Sequence, residues 1–181
     1  QNQENAARYL QAGARAEALC VTGNIKWDLA TDANRVAQAK AQRATWPQQP
    51  VWLAASTHEH EEASILKIHA ALSALHPQAL LLWAPRHPER FGTVASQAEA
   101  IGYICTRRSL QAWPDSRTQI FIIDTLGELP GFMPYADVVF VGGSLQAIGG
   151  HNVMEPAANG IAILVGPHTK NFSDSVNALK D

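Results

Sequence analysis

Five stretches of this chain are apolar almost without interruption, yet too short for helices: residues 51–55 (VWLAA), 79–85 (ALLLWAP), 119–124 (QIFIID), 137–142 (DVVFVG) and 162–166 (AILVG). A strand with one wet face alternates apolar and polar residues, whereas a strand covered on both faces does not. Segments of helical period lie between these runs. Residues 59–75 set Ile65, Ile68, His69 and Leu72 at spacings of three and four. Residues 88–101 and 126–135 read as shorter helices, another helix starts near Asn152, and residues 173–180 begin one more. Strands that alternate with helices predict an α/β fold, a parallel sheet with helices on both faces. Right-handed crossovers then put every strand's C-terminal end on one edge, where such sheets bind ligands.

The rest of the chain reads less regularly. Residues 1–13 predict a helix ending near Gly13, residues 18–24 (ALCVTGN) a short strand into a glycine turn, and residues 32–44 a helix. Residues 102–107 (GYICTR) predict a strand and 109–117 a loop. Two prolines in TWPQQP, residues 45–50, mark a domain edge. The expected division is residues 1–49, the end of a preceding domain plus a first strand and helix, and residues 50–181, the main α/β domain. Hydrophobic residues at 46% and charged residues at 17% fit a globular chain rather than a disordered one. Sixteen acids against fourteen bases leave no basic field for nucleic acid. Cys20 and Cys105 both lie in apolar runs and read as reduced core residues, not a disulfide. No apolar run approaches the ~18 residues of a spanning helix. The first residues, QNQENAARYL, carry no start-like pattern, and the chain reads as a piece of something longer.

Small, polar and charged residues concentrate at the strand-to-helix junctions. In STHEHEE, Ser56 with Glu59 fits a capping box, and Glu59, Glu61 and Glu62 suit the positive end of a helix. Ligand contact by Ser56 or Thr57 stands beside that reading. His58 and His60 lack the HExxH spacing and no CxxC is present, so no metal site is expected. In PRHPER, Pro85 and Pro88 hold Arg86 and His87 on a stiff loop. The Arg86 fork suits phosphate or carboxylate, with a surface ion pair to Glu89 as the plainer alternative. In DTLGEL, Gly127 opens a helix whose N–H groups face an anion or a base edge, unless Asp124 or Thr125 is an ordinary cap.

GGSLQAIGGHNVMEP, residues 142–156, is the most specific junction. Gly142, Gly143, Gly149 and Gly150 admit close approach of a ligand. Asn152 and Glu155 form a capping box, or Glu155 accepts hydrogen bonds from two ribose hydroxyls. GxGxxG and GxxxxGK[ST] are both absent. GGSLQ nearly matches a GxSxG nucleophile elbow around Ser144, but Gln146 stands where glycine is needed.

Together VTGNIKWD, ASTHEHEE, PRHPERF, DTLGEL, ADVVFVGGSLQAIGGHNVMEPAA and GPHTKNF resemble, in order and spacing, the bacterial 3-deoxy-manno-octulosonic acid (Kdo) transferases of lipopolysaccharide assembly. The resemblance covers nearly the whole chain. It implies the C-terminal half of a GT-B glycosyltransferase, a Rossmann-like domain that binds CMP-Kdo, here short of its closing segment. In such enzymes the N-terminal domain carries the membrane anchor, the acceptor site and the catalytic base. The resemblance further implies inverting transfer to a lipid A precursor, no metal, no cofactor beyond the CMP-Kdo donor, and a place at the cytoplasmic face of the inner membrane. This half alone is expected to be soluble and inactive, with exposed apolar area and a tendency to self-associate. Carried over, Glu155 binds ribose, Arg86 meets the phosphate or the Kdo carboxylate, His87 joins the donor-binding residues, and Gly127 and Glu128 lie near cytosine or ribose. Gly142, Gly143 and Ser144 line the phosphate side, Ser56 and Thr57 the inner wall, and Asn152 orients Glu155 or adds a polar contact. His151 contributes there or packs beside Gly150. The rival readings are a stand-alone nucleotide-binding module and a serine hydrolase built on Ser144.

Overall fold

The structure, a computed structural model, describes residues 2–23, 32–46, 48–111 and 113–180. The chain divides into two compact units, residues 1–30 and 31–181. In the first, helix α1 (Gln3–Gln11) starts where Asn2 Oδ1 accepts the Asn5 N–H at 2.9 Å, and it buries none of its residues. The expected strand over 18–24 is not found among its described residues. A 3-10 turn covers Ala16–Ala18 and residues 19–23 are irregular, with no ladder partner among the described residues. Cys20 is accordingly exposed rather than in a core, while Cys105 is half-buried, and both are free thiols. Asn24 and the rest of the NIKWD segment lie outside the described residues.

The second unit begins with α2 (Ala33–Arg43) and continues β1 (Val51–Thr57), α3 (Glu59–Leu75), β2 (Leu80–Pro85), α4 (Phe91–Ala100), β3 (Cys105–Arg107) and β4 (Ile120–Ile122). It closes with α5 (Leu129–Phe132), β5 (Val138–Val141), α6 (Met154–Ala158), β6 (Ala162–Val165) and α7 (Ser173–Ala178). The strands form one sheet in the order β3-β4-β2-β1-β5-β6, and every neighbouring pair is parallel. Side chains leave the two faces alternately. Val51, Leu53, Ala55, Leu82, Phe121 and Val139 enter one core with Met133, Met154 and Val176. Trp52, Ala54, Leu81, Trp83, Ile122 and Phe140 enter the other with Ile65, Val94 and Ala98. The α/β expectation is therefore realised as three layers. β6 is an edge strand, and its Ala162 and Leu164 are exposed while Ile163 and Val165 pack inward.

Arg43 fastens α2 at the N-terminal edge of the sheet. Its guanidinium donates to the carbonyls of Gln49 and Tyr135 at 2.6 and 3.2 Å and to Asp137, whose carboxylate also accepts the Val51 N–H at 2.8 Å. In α5, Pro130 falls in the first turn, and the helix gives way after four residues to a 3-10 turn over Met133–Tyr135 that contains Pro134. Near its C-terminal end β1 shifts register. Ala55 pairs with Ala84 and Thr57 with Pro85, so Ser56 is an extra residue at φ +55°. That left-handed backbone costs a non-glycine residue about 1 kcal/mol. The bulge turns the Thr57 hydroxyl into the core, where it accepts the Trp83 indole N–H at 2.8 Å.

His69 lies fully buried on α3. Its Nδ1 accepts the Trp52 indole N–H at 3.2 Å and its ring packs on Tyr103 at 5.0 Å. Burial pushes its pKa down to about 4, against a smaller upward pull from the Gln119 backbone. The unfolded chain therefore holds a proton on this residue that the folded chain excludes, in the window between pH 6.5 and 4. Stability from this source is complete above pH 6.5 and falls as the solution is acidified. Between pH 7 and pH 5 the expected loss is about 2 kcal/mol. It is read as a difference in urea midpoints at the two pH values, and His69→Gln, which keeps an acceptor for Trp52 but does not titrate, is expected to lose correspondingly less. Equal losses in both proteins would rule out the assignment.

Candidate functional site

The sheet reverses direction of growth at β1: β2 lies on one side and β5 on the other. Beyond the C-terminal ends of these strands the flanking connections part to opposite faces and leave a crevice. Three junctions meet there, residues 56–58 after β1, 86–90 after β2 and 142–153 after β5. They are joined by short backbone bonds, from Arg86 N–H to the Thr57 carbonyl at 2.9 Å and from Gly142 N–H to the Ala55 carbonyl at 2.8 Å.

Glu61 organises the crevice from beneath. Its side chain is completely buried, and each carboxylate oxygen accepts two backbone N–H groups. Oε2 takes those of His58 at 3.0 Å and Gly143 at 2.8 Å, and Oε1 those of Ser144 at 3.0 Å and Leu145 at 2.9 Å. The glycine-rich loop is thus folded around a carboxylate that the protein itself supplies. Gly142 lies against the bulge so closely that a Cβ there would meet the Ser56 carbonyl oxygen at 2.5 Å. The far side of the loop is tied to the segment after β6: Gly166 N–H donates to Ser144 Oγ at 2.8 Å, His168 N–H to the Ser144 carbonyl at 3.0 Å and Asn171 N–H to the Gly149 carbonyl at 2.9 Å.

Above this floor stand imidazoles. His58 Nε2 and His151 Nε2 are 2.7 Å apart, with the rings parallel at 5.0 Å between centroids. His87 meets His58 edge-on at 5.2 Å. Burial holds the pKa of His58 below its usual value, with opposition from Glu61 and smaller downward effects from His87, Arg86 and His60. Burial, then His58 and Arg86, pushes His151 down to about 4. Arg86 is exposed and makes no ion pair with a described carboxylate; the neighbouring arginine that does is Arg90, bound to Glu62 at 2.5 Å and Glu59 at 3.1 Å. Directly after His151, Asn152 Oδ1 accepts the Met154 N–H and its Nδ2 donates to Glu155 Oε1, each at 3.0 Å. Asn152 therefore holds Glu155 at the start of α6.

The predicted residues separate into groups. Arg86, His87 and Gly143 meet around the imidazoles, with Asn152 and Glu155 following in sequence. Ser56 stands half-buried at the rim, while Thr57 is inside, its hydroxyl occupied by Trp83. Ser144 is fully buried, donates to the Val141 carbonyl at 2.6 Å and has no imidazole partner, so a hydrolytic nucleophile is not formed. Gly127 and Glu128 lie past β4, three strand spacings from β5, about 14 Å. There Glu128 accepts from Arg108 at 2.9 Å and from the Thr125 hydroxyl, and Gly127 precedes α5 at φ +79°. Among the described residues no three His, Cys, Asp or Glu side chains are arranged to hold a metal ion.

The comparisons bear on this crevice. Over 92% of its length the chain is 44% identical to the 3-deoxy-D-manno-octulosonic acid transferase of Haemophilus influenzae, and over 97% it is 40% identical to that of Bordetella pertussis. The crystal structure of the C-terminal CMP-Kdo binding domain of WaaA from Acinetobacter baumannii superposes with a TM-score of 0.74 at 34% identity, covering 82% of this chain and 78% of that one. The chain belongs to the Kdo transferase family. It spans about two fifths of the curated relatives it matches, 39% and 41% of the two named above. A scan of protein-family models finds no match.

For a Kdo transferase domain, sequence reading missed two features of the crevice, the imidazole pair and the Glu61 anchor. Glu61 reads locally as a first-turn carboxylate, and its partners follow eighty-two to eighty-four residues later, beyond any local spacing. The expected Ser56–Glu59 capping box is replaced by one between His58, which directly precedes α3, and Glu61, whose carboxylate accepts the His58 N–H. Glu61→Gln puts an amide NH2 where two backbone donors converge. It is expected to cost about 3 kcal/mol or more in urea unfolding and to speed hydrogen exchange at the Gly143, Ser144 and Leu145 amides. Unchanged exchange at those three amides would contradict the anchoring role.

Proposed function

We propose that the chain is the donor half of a Kdo transferase and binds CMP-Kdo in the crevice beyond β1, β2 and β5. The observation that carries this reading is the convergence at the sheet reversal of Arg86, His87 and the Gly143 loop, followed by the Asn152–Glu155 pair. The nucleotide ribose is held by Glu155, whose ionised carboxylate accepts two hydroxyl protons while Asn152 fixes its rotamer. The phosphate faces Arg86 and the imidazoles rather than the N–H groups of Gly143 and Ser144, which Glu61 already occupies. Gly142 and Gly143 contribute close approach, Ser144 and Thr57 hold the wall from within, and Ser56 forms its rim. Gly127 and Glu128 border the outer end, toward the base.

In the whole protein, transfer moves Kdo to a lipid A precursor with inversion, at the cytoplasmic face of the inner membrane. Negative charge grows on the departing CMP phosphate as the glycosidic bond breaks. A fixed guanidinium at that place stabilises the transition state without reorganisation and without a metal ion or other cofactor. The base that takes the acceptor proton comes from the facing N-terminal domain.

Titration of the chain with CMP, followed by calorimetry and by amide shifts of Arg86, Gly143 and Glu155, tests the donor site. Saturable binding is expected. Arg86→Ala and Glu155→Ala should each weaken it about tenfold or more, the scale of one charge-assisted hydrogen bond. A folded sample without affinity for CMP would overturn the reading.

A further inference from the structure

Two imidazoles joined Nε2 to Nε2 at 2.7 Å obey a strict proton count. One ring must donate an Nε2–H and the other must offer its Nε2 lone pair. The neutral pair therefore has its second proton on Nδ1 of the accepting ring. One further proton fits without breaking the contact, at Nδ1 of the donating ring, and gives an imidazolium–imidazole pair of charge +1. A second further proton would set N–H against N–H and separate the rings. The pair thus has two compatible states, 0 and +1.

The surroundings choose between those states. Arg86, His87 and His60 face His58 with positive or neutral charge, and Arg86 and His87 also act on His151. Glu61 is the acid that acts on both, and its two oxygens are engaged by four backbone N–H groups. Among the described groups that act on the pair, no second acid therefore balances a +1 state in the free domain. An anion seated beside Arg86 supplies the missing counter-charge, and the rings are only half-buried, so such an anion reaches them from the crevice.

We propose that the His58–His151 pair is a one-proton anion sensor, neutral in the free domain and charged by uptake of a single proton when an anionic group of the donor settles beside Arg86. The inference rests on the donor-site reading and adds to it the side chains that complete the anion contact and the proton that accompanies binding. Its sign follows directly. The bound form holds more protons, so affinity weakens as pH rises, by up to about tenfold per pH unit where linkage is complete. Above the pair's titration in the complex the anion is held by Arg86 alone.

The test is calorimetry of the chain with the methyl ester of CMP, a phosphodiester of fixed single charge with no phosphate proton of its own near neutrality. Titrations at one pH in buffers of different ionisation enthalpy give the net proton uptake as a slope. A positive uptake of at most one proton is expected for the unaltered chain, together with its loss in both His58→Gln and His151→Gln. Binding of the diester with no uptake would overturn the proton linkage and leave the donor site standing. Uptake that persists in folded His151→Gln, confirmed by its amide spectrum, would assign the proton elsewhere and also overturn it. No binding to the unaltered, folded chain, with CMP equally silent, would remove the donor reading and the inference with it.

Discussion

A carboxylate taken out of water costs several kcal/mol unless donors replace its hydration. Glu61 meets that requirement with four backbone N–H groups, one from its own helix start and three from the loop after β5. The bonds run both ways in their consequences. They make burial of the acid tolerable, and they give fixed partners to loop amides that would otherwise lie buried without acceptors. Because the donors come from both sides of the β1–β5 boundary, the two junctions that frame the crevice are clamped as one body. The positions of His58, Gly143 and His151 all follow from that clamp.

The loop glycines are often read as a cradle for phosphate. Here the cradle already holds an anion that belongs to the chain. Above it stands a layer of side chains: a guanidinium that pairs with no described carboxylate, three imidazoles and a glutamate steadied by an asparagine. Unlike backbone dipoles, the imidazoles of that layer are groups whose own charge can change. The family relationship and the crevice geometry therefore complement each other. The first gives the family to which the domain belongs, and the second shows which loop amides Glu61 already engages.

Much of the architecture was legible because doubly covered strands leave uninterrupted apolar runs. Each run over 51–55, 79–85, 119–124, 137–142 and 162–166 contains or overlaps the strand found there, and the helix over 59–75 coincides with α3. The misreadings share one cause, a local pattern overruled by a distant partner. ALCV has strand composition but pairs with no strand among the described residues, and Cys20 is exposed with it. Ser56 and Glu59 have capping spacing, but Ser56 is taken up by the bulge, and His58 and Glu61 hold the capping places of α3. Asn152 does orient Glu155, as expected, by a bond from its amide to the carboxylate, although α6 begins at Met154. At the site, the edge and the loops were readable, whereas the ownership of the loop amides was not, since nothing near Glu61 in sequence announces it.

The bulge at Ser56 has a consequence for the spacing of the chain. Because one residue is looped out, Thr57 turns inward to the Trp83 indole and the next residue emerges at the crevice with its N–H aimed at Glu61. Ala55 to His58 thus acts as a gauge of fixed length. Run straight at its full length, β1 would send Thr57 to the opposite face, away from the Trp83 indole, because side chains alternate along a regular strand. Insertions are well tolerated in many surface loops, but here the residue count decides which side chain faces the core and which the crevice.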